Sequence, residues 1–158
     1  VLGNWQVNGV MSAYTGVPFT VTAPGASLNA PGNTQTADQV KSTVAQPGLI
    51  GSDGRYYDIT AFAAPTAAGK FGSTGRNILR NPGMWNTDLS LFKNIPFKER
   101  YNIQFRAEFF NLPNTSHFGA DNNRSGAFAS TDVSNPNFLK VVNSLGERQI
   151  RFGLKFAF

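Results

Sequence analysis

From Gln149 to Phe158 apolar and polar positions alternate strictly. Ile150, Phe152, Leu154, Phe156 and Phe158 fall on one face, and Gln149, Arg151, Gly153, Lys155 and Ala157 on the other. A period of two sustained this long predicts a strand and not a helix. Tyr101–Phe110 repeats the design, with Tyr101, Ile103, Phe105, Ala107 and Phe109 opposing Asn102, Gln104, Arg106 and Glu108. A shorter strand is expected over 85–92, where Trp85, Thr87, Leu89 and Leu91 oppose Asn86, Asp88 and Ser90. Asn4–Tyr14 reads as a fourth, with less contrast between its faces. Thr15-Gly16-Val17-Pro18 then breaks or bends it, and Phe19–Thr22 extends it briefly.

The pattern also predicts pairing. Lys93–Arg100, with Pro96 inside it, suits a short hairpin connection. Like faces must pair, and one permitted register sets Trp85 beside Phe109 and Asp88 beside Arg106. For the last two strands the corresponding register places Glu108 opposite Arg151. Two long connections remain, over 23–83 and 111–147, rich in Gly, Ser and Asn and without clear periodicity. Short helical turns are expected near Tyr57–Ala64 and Asn137–Asn143. Irregular connections of this length are uncommon in compact soluble domains.

Strands apolar on one face and polar on the other allow a soluble sandwich or a transmembrane barrel. The strand length matches the roughly 9–11 residues that cross a bilayer. Connections that alternate long, short, long match the asymmetry of outer-membrane barrels. Tyr14, Trp85, Tyr101 and Phe158 stand at strand ends, where interfacial aromatics are expected.

Composition narrows the field further. The chain has 158 residues, a net charge of +5, 14 Phe, one His and no Cys. The absence of Cys removes disulfides, thiolate metal sites and Cys nucleophiles. Charged residues are only 15% of the chain, low for a soluble domain, where about 25% is usual. Basic residues never cluster beyond pairs, so no nucleic-acid partner is expected. The chain opens on Val without a signal-peptide pattern, which reads as a cut or processed start.

The run Gly75-Arg76-Asn77-Ile78-Leu79-Arg80-Asn81-Pro82-Gly83-Met84-Trp85-Asn86-Thr87-Asp88-Leu89-Ser90-Leu91-Phe92-Lys93-Asn94 resembles the late-barrel segment of TonB-dependent receptors. Gln104-Phe105-Arg106-Ala107-Glu108-Phe109-Phe110-Asn111-Leu112 and Tyr14-Thr15-Gly16-Val17-Pro18-Phe19-Thr20-Val21 resemble the same family. The group is the one with an N-terminal carboxypeptidase-regulatory-like domain. The ending Arg148–Phe158 resembles the signal read by the barrel-assembly machinery, which would engage Phe152, Leu154, Phe156 and Phe158. The resemblance implies an all-β, antiparallel fold: the last four strands of a transmembrane barrel with two long external loops. It further implies ligand uptake at the bacterial outer membrane, with lipid, TonB and the remainder of the receptor chain as partners. The TonB box, the plug and most of the barrel are missing from these residues. Four strands cannot close, and open edges are not tolerated in lipid. The expectation is therefore a fragment, or a chain whose edges pair with other chains, including copies of itself.

Candidate site residues follow from the faces. Asp88, Arg106, Glu108, Arg151 and Lys155 are expected on the lumen side. They would contact a plug or a passing substrate, or form a cross-strand ladder of ion pairs worth about 0–1 kcal/mol each. Asp121, Asn123, Ser125 and Asp132, with Gly126 at the turn, match the spacing of an EF-hand-type calcium loop. Asp132 replaces the usual Glu there and no flanking helices are evident, so the residues favour an ordinary Asn/Ser/Gly-rich external loop over a calcium site. Ser116–His117 lacks the acid and oxyanion site of a hydrolase, and no enzyme activity is expected. Two other functions fit the pattern: a processed structural subunit assembling into an extracellular filament or sheet, and a calcium- or carbohydrate-binding surface module.

Overall fold

The computed structural model describes residues 3–45, 53–98, 100–118, 127–142 and 144–158. The chain divides into two compact units. One comprises Val1–Tyr14, Met84–Ser116 and Gly146–Phe158, and the other Thr15–Gly83 and His117–Leu145.

The first unit is a four-stranded antiparallel meander of Trp5–Tyr14, Met84–Phe97, Tyr101–Phe110 and Gln149–Ala157, in that order. The register pairs Leu91 with Val7 and Ala107, and Phe105 with Leu154. One face therefore runs apolar across all four strands. Phe105 and Phe152 stack on it with ring centres 6.1 Å apart, as do Tyr101 and Phe156 at 5.7 Å. This face is uncovered among the described residues: Phe152 is 70%, Leu154 75% and Phe158 93% exposed. Alternation produced an amphipathic sheet whose apolar side stays uncovered among the described residues instead of closing over a core.

The central hairpin departs from the sequence reading. Its first strand runs on to Phe97 and the next begins at Tyr101, with Lys98 in the left-handed region (φ 56°). This sets Phe97 opposite Tyr101, so Leu89 and not Trp85 faces Phe109, and Phe92 and not Asp88 faces Arg106. The like-face rule holds, but the register is shifted. Pro96 is tolerated because the described ladder to the first strand ends near Lys93 and Asn94, where Asn94 N donates to Asn4 O (3.0 Å). A proline beyond that ladder forfeits no bond to it. In the last pair Arg151 does stand opposite Glu108.

The second unit is built from both long connections. Four short two-stranded ladders bring together 18–19 with 79–80, 22–24 with 34–36, 38–39 with 62–63, and 117–118 with 144–145. Val21, Ala23, Phe62, Leu79, Phe128, Phe138 and Leu139 bury one shared core. Thr22 joins the connections directly: its N donates to Thr131 O (2.8 Å), and its O accepts from Val133 N (2.9 Å). A 3-10 turn forms at Ile59–Ala61, within the expected helical segment, where the Asp58 side chain accepts from Thr60 N. No helix forms over the described residues of 137–143, which are turns and bridges instead.

Candidate functional site

The polar face of the sheet gathers the five charged residues expected there, but not as a continuous ladder. Arg106 lies 4.0 Å from Glu108 on its own strand and places its guanidinium over the Phe92 ring at 5.0 Å. Arg151 faces Glu108 across the ladder and sits over Phe110 at 5.1 Å. The aromatic faces thus take up positive charge that the single nearby acid leaves uncompensated. Lys155 stands opposite Gln104, and with Arg106 and Gly153 they line a shallow groove of about 240 Å³. Without a side chain at Gly153, the flanking long side chains have room between them.

Asp88 takes a different role from the one expected. It makes no pair with Arg106. Its Oδ1 accepts from Asn86 Nδ2 (2.9 Å) and from the backbone N of Asn111 (2.8 Å). Asn111 is buried and left-handed at φ 50°, a conformation that Asn tolerates better than most residues. Its side chain accepts from Thr115 N (3.1 Å) and donates to Thr115 O (2.8 Å) and Gly146 O. Thr115 Oγ1 in turn donates to Trp85 O (2.8 Å). This knot pins the end of the third long strand to its neighbours. Sequence reasoning passed over Asn111; the one signal was an Asn ending a strict alternation, the common stop signal of a strand.

Of the four calcium candidates, Asp121, Asn123 and Ser125 lie outside the described residues. Asp132 is described, and its Oδ1 accepts from Ser134 N (2.8 Å) and Ser134 Oγ (2.7 Å). That is the local turn chemistry of an Asp at a loop bend. Among the described residues no cluster of metal-ligating side chains forms. His117 is buried on a short strand opposite Leu145.

The second unit holds its own charged contacts. Lys41 Nζ reaches Asp58 Oδ2 at 2.8 Å and also donates to Thr60 Oγ1. The Lys41 ammonium, with the Thr60 hydroxyl and amide, lowers the Asp58 carboxyl from 3.8 to about 2. Arg55 bonds Asp53 at 3.0 Å and holds that carboxyl below its usual range. Arg55 also reaches across to Pro136 O and Phe138 O, tying the two connections together. Burial pushes the Tyr57 hydroxyl up, and it donates to Arg80 O at 2.7 Å.

A family model described as an outer membrane beta barrel domain matches residues 1–151. Searches of curated proteins and of solved structures return no match. The matched span covers the first three long strands, both connections and the start of the fourth strand, and it agrees with an open antiparallel sheet whose two faces have opposite polarity. The chain therefore belongs to the outer membrane β-barrel domain family and is a protein of the bacterial outer membrane.

Proposed function

We propose that this chain is the C-terminal barrel portion of a TonB-dependent receptor that takes up a scarce ligand across the outer membrane. The receptor would be of the group with an N-terminal carboxypeptidase-regulatory-like domain. The observation that carries the reading is the uncovered apolar face of the meander, opposite a face that bears Arg106, Glu108, Arg151 and Lys155. The wall of an outer-membrane barrel has this polarity, with lipid on one side and water on the other. The resemblance of Gly75–Asn94 and Gln104–Leu112 to late receptor strands supports the finer assignment.

In this reading Phe152, Leu154 and their neighbours meet lipid, and the five charged residues face the lumen and its plug. The connection from Phe97 to Tyr101 lies on the periplasmic side, and the long connections lie outside the cell. The first and last long strands have a neighbour on one side only among the described residues. Further receptor strands would satisfy those edges, as lipid demands. The terminal alternation ending at Phe158 would guide insertion by the barrel-assembly machinery. The work of this portion is to form a wall and not to catalyse.

Affinity capture tests the reading. Full-length receptor extracted from outer membranes should be retained on an immobilised periplasmic domain of TonB. A receptor that inserts as a barrel yet shows no retention would overturn the TonB assignment while leaving the barrel intact.

A further inference from the structure

The second unit carries a groove of about 370 Å³ with the 22–24/34–36 hairpin as its floor. The register pairs Thr22 with Thr36 and Pro24 with Thr34, so these side chains share one face while Ala23 is turned to the buried side. Thr20 continues the row, and its Oγ1 accepts from Asn77 N (3.0 Å). The hydroxyls of Thr22 and Thr34 have no hydrogen-bond partner among the described residues.

Phe71 stands at the rim. It is 72% exposed, whereas Phe62, Phe128 and Phe138 of the same unit are buried. A single exposed Phe normally needs no explanation, but this one is fixed in place from both sides. Ser27 Oγ donates to Lys70 O (3.1 Å), and Gly69 N donates to Ser27 O (2.8 Å). Thr36 Oγ1 donates to Gly72 O (3.1 Å). Gly72 presses so closely on the hairpin that a Cβ there would lie 2.1 Å from Thr36 O. An apolar ring is thus held in water beside a row of hydroxyls.

Arg76 lines the same groove, exposed and without an ion-pair partner among the described residues. Gln35, the cross-strand partner of Ala23, turns to the buried side, where its Nε2 donates to Pro24 O (2.9 Å) and Ser27 Oγ (2.7 Å) and braces the hairpin from beneath.

A ligand matching this groove needs a flat apolar face, several hydroxyls and a negative group. We propose that the groove binds an acidic saccharide. The apolar face of a sugar ring covers Phe71, removing ring surface from water. Its hydroxyls exchange hydrogen bonds with Thr22 and Thr34, and its acid group pairs with the Arg76 guanidinium, which suits planar anions.

The test uses the full-length protein in detergent micelles and isothermal titration calorimetry. The probes are an oligogalacturonate, a neutral cello-oligosaccharide of equal length, lipopolysaccharide and adenosine monophosphate. Oligogalacturonate should bind more tightly than the neutral oligomer. Phe71→Ala should weaken binding about tenfold or more, the size of one lost apolar contact. Arg76→Gln should abolish the preference for the acidic oligomer, and Thr34→Val should weaken both. Binding of the oligogalacturonate alone identifies a free saccharide as the ligand, and binding of lipopolysaccharide alone identifies the sugar of a glycolipid. The proposal falls if neither binds, if the nucleotide binds better than both, or if Phe71→Ala and Arg76→Gln bind like the parent at unchanged melting temperature.

Discussion

Asp88 accepts two hydrogen bonds, from the Asn86 amide and the Asn111 backbone, and no cation stands against it in an ion pair among the described residues. A carboxylate used this way is a strand-end clamp and not a rung of an ion-pair ladder. Asp88→Ala should cost about 1.5–3 kcal/mol, the range for a hydrogen bond to a charged group, read as a lower urea midpoint of the full-length protein in micelles. Asp88→Asn keeps an acceptor oxygen and should cost less. Asp58 gives a second prediction at this scale. Its carboxyl lies at about 2 in the folded chain against 3.8 ordinarily. A depressed carboxyl stabilises the fold above the ordinary value, and that contribution is lost as pH falls through the folded one. Thermal melting followed from neutral pH down to about 2 should show a decline in the parent that is smaller in Lys41→Met. Equal slopes would mean that Lys41 does not hold the carboxylate.

At the scale of elements, the decisive feature is register. Alternation identifies which residues share a face, but a slip of two preserves every face and is invisible to the pattern. The strand ends chose between the alternatives: one strand stops at Phe97 and the next starts at Tyr101, with Lys98 at φ 56°, so Phe97 stands against Tyr101. Lys93 and Pro96 read as loop residues because of their types, while their positions beside Phe105 and Asn102 make them part of the ladder. The final pair of strands offers a direct check. Cysteines introduced at Glu108 and Arg151, which are cross-strand partners, should oxidise to a disulfide seen as a gel-mobility shift. Cysteines at Glu108 and Lys155 should not.

At the scale of the whole molecule, the chain puts its apolar residues to two uses. The sheet leaves them uncovered among the described residues, and the other unit buries them. Phe138 belongs to the buried set, edge-on to Phe62 with ring centres 6.2 Å apart. Phe138→Ala should therefore cost about 3–5 kcal/mol, as large-to-small core changes of Phe do, and lower the melting temperature. Phe158, by contrast, is 93% exposed and supports no core. Phe158→Ser should leave the full-length protein refolded in micelles close to the parent in stability while reducing its outer-membrane level in cells. Equal outer-membrane levels of the two would remove Phe158 from the assembly signal.

What the sequence determined by itself was whatever depends on neighbours along the chain. A period of two is local, so the four long strands and their faces could be read from Ile150–Phe158 and its counterparts without any coordinates. The tertiary structure alone decided what depends on residues distant in sequence. Val21, Phe62, Leu79, Phe128 and Leu139 follow no common period, and each short ladder holding them is only two or three residues long. Their burial is cooperative: Thr22 pairs with Thr36 and bridges to Asp132, and no segment of that core is apolar enough to announce itself alone. The groove beside Phe71 has the same origin, because its floor, rim and cation come from three separate stretches that meet only in the folded chain.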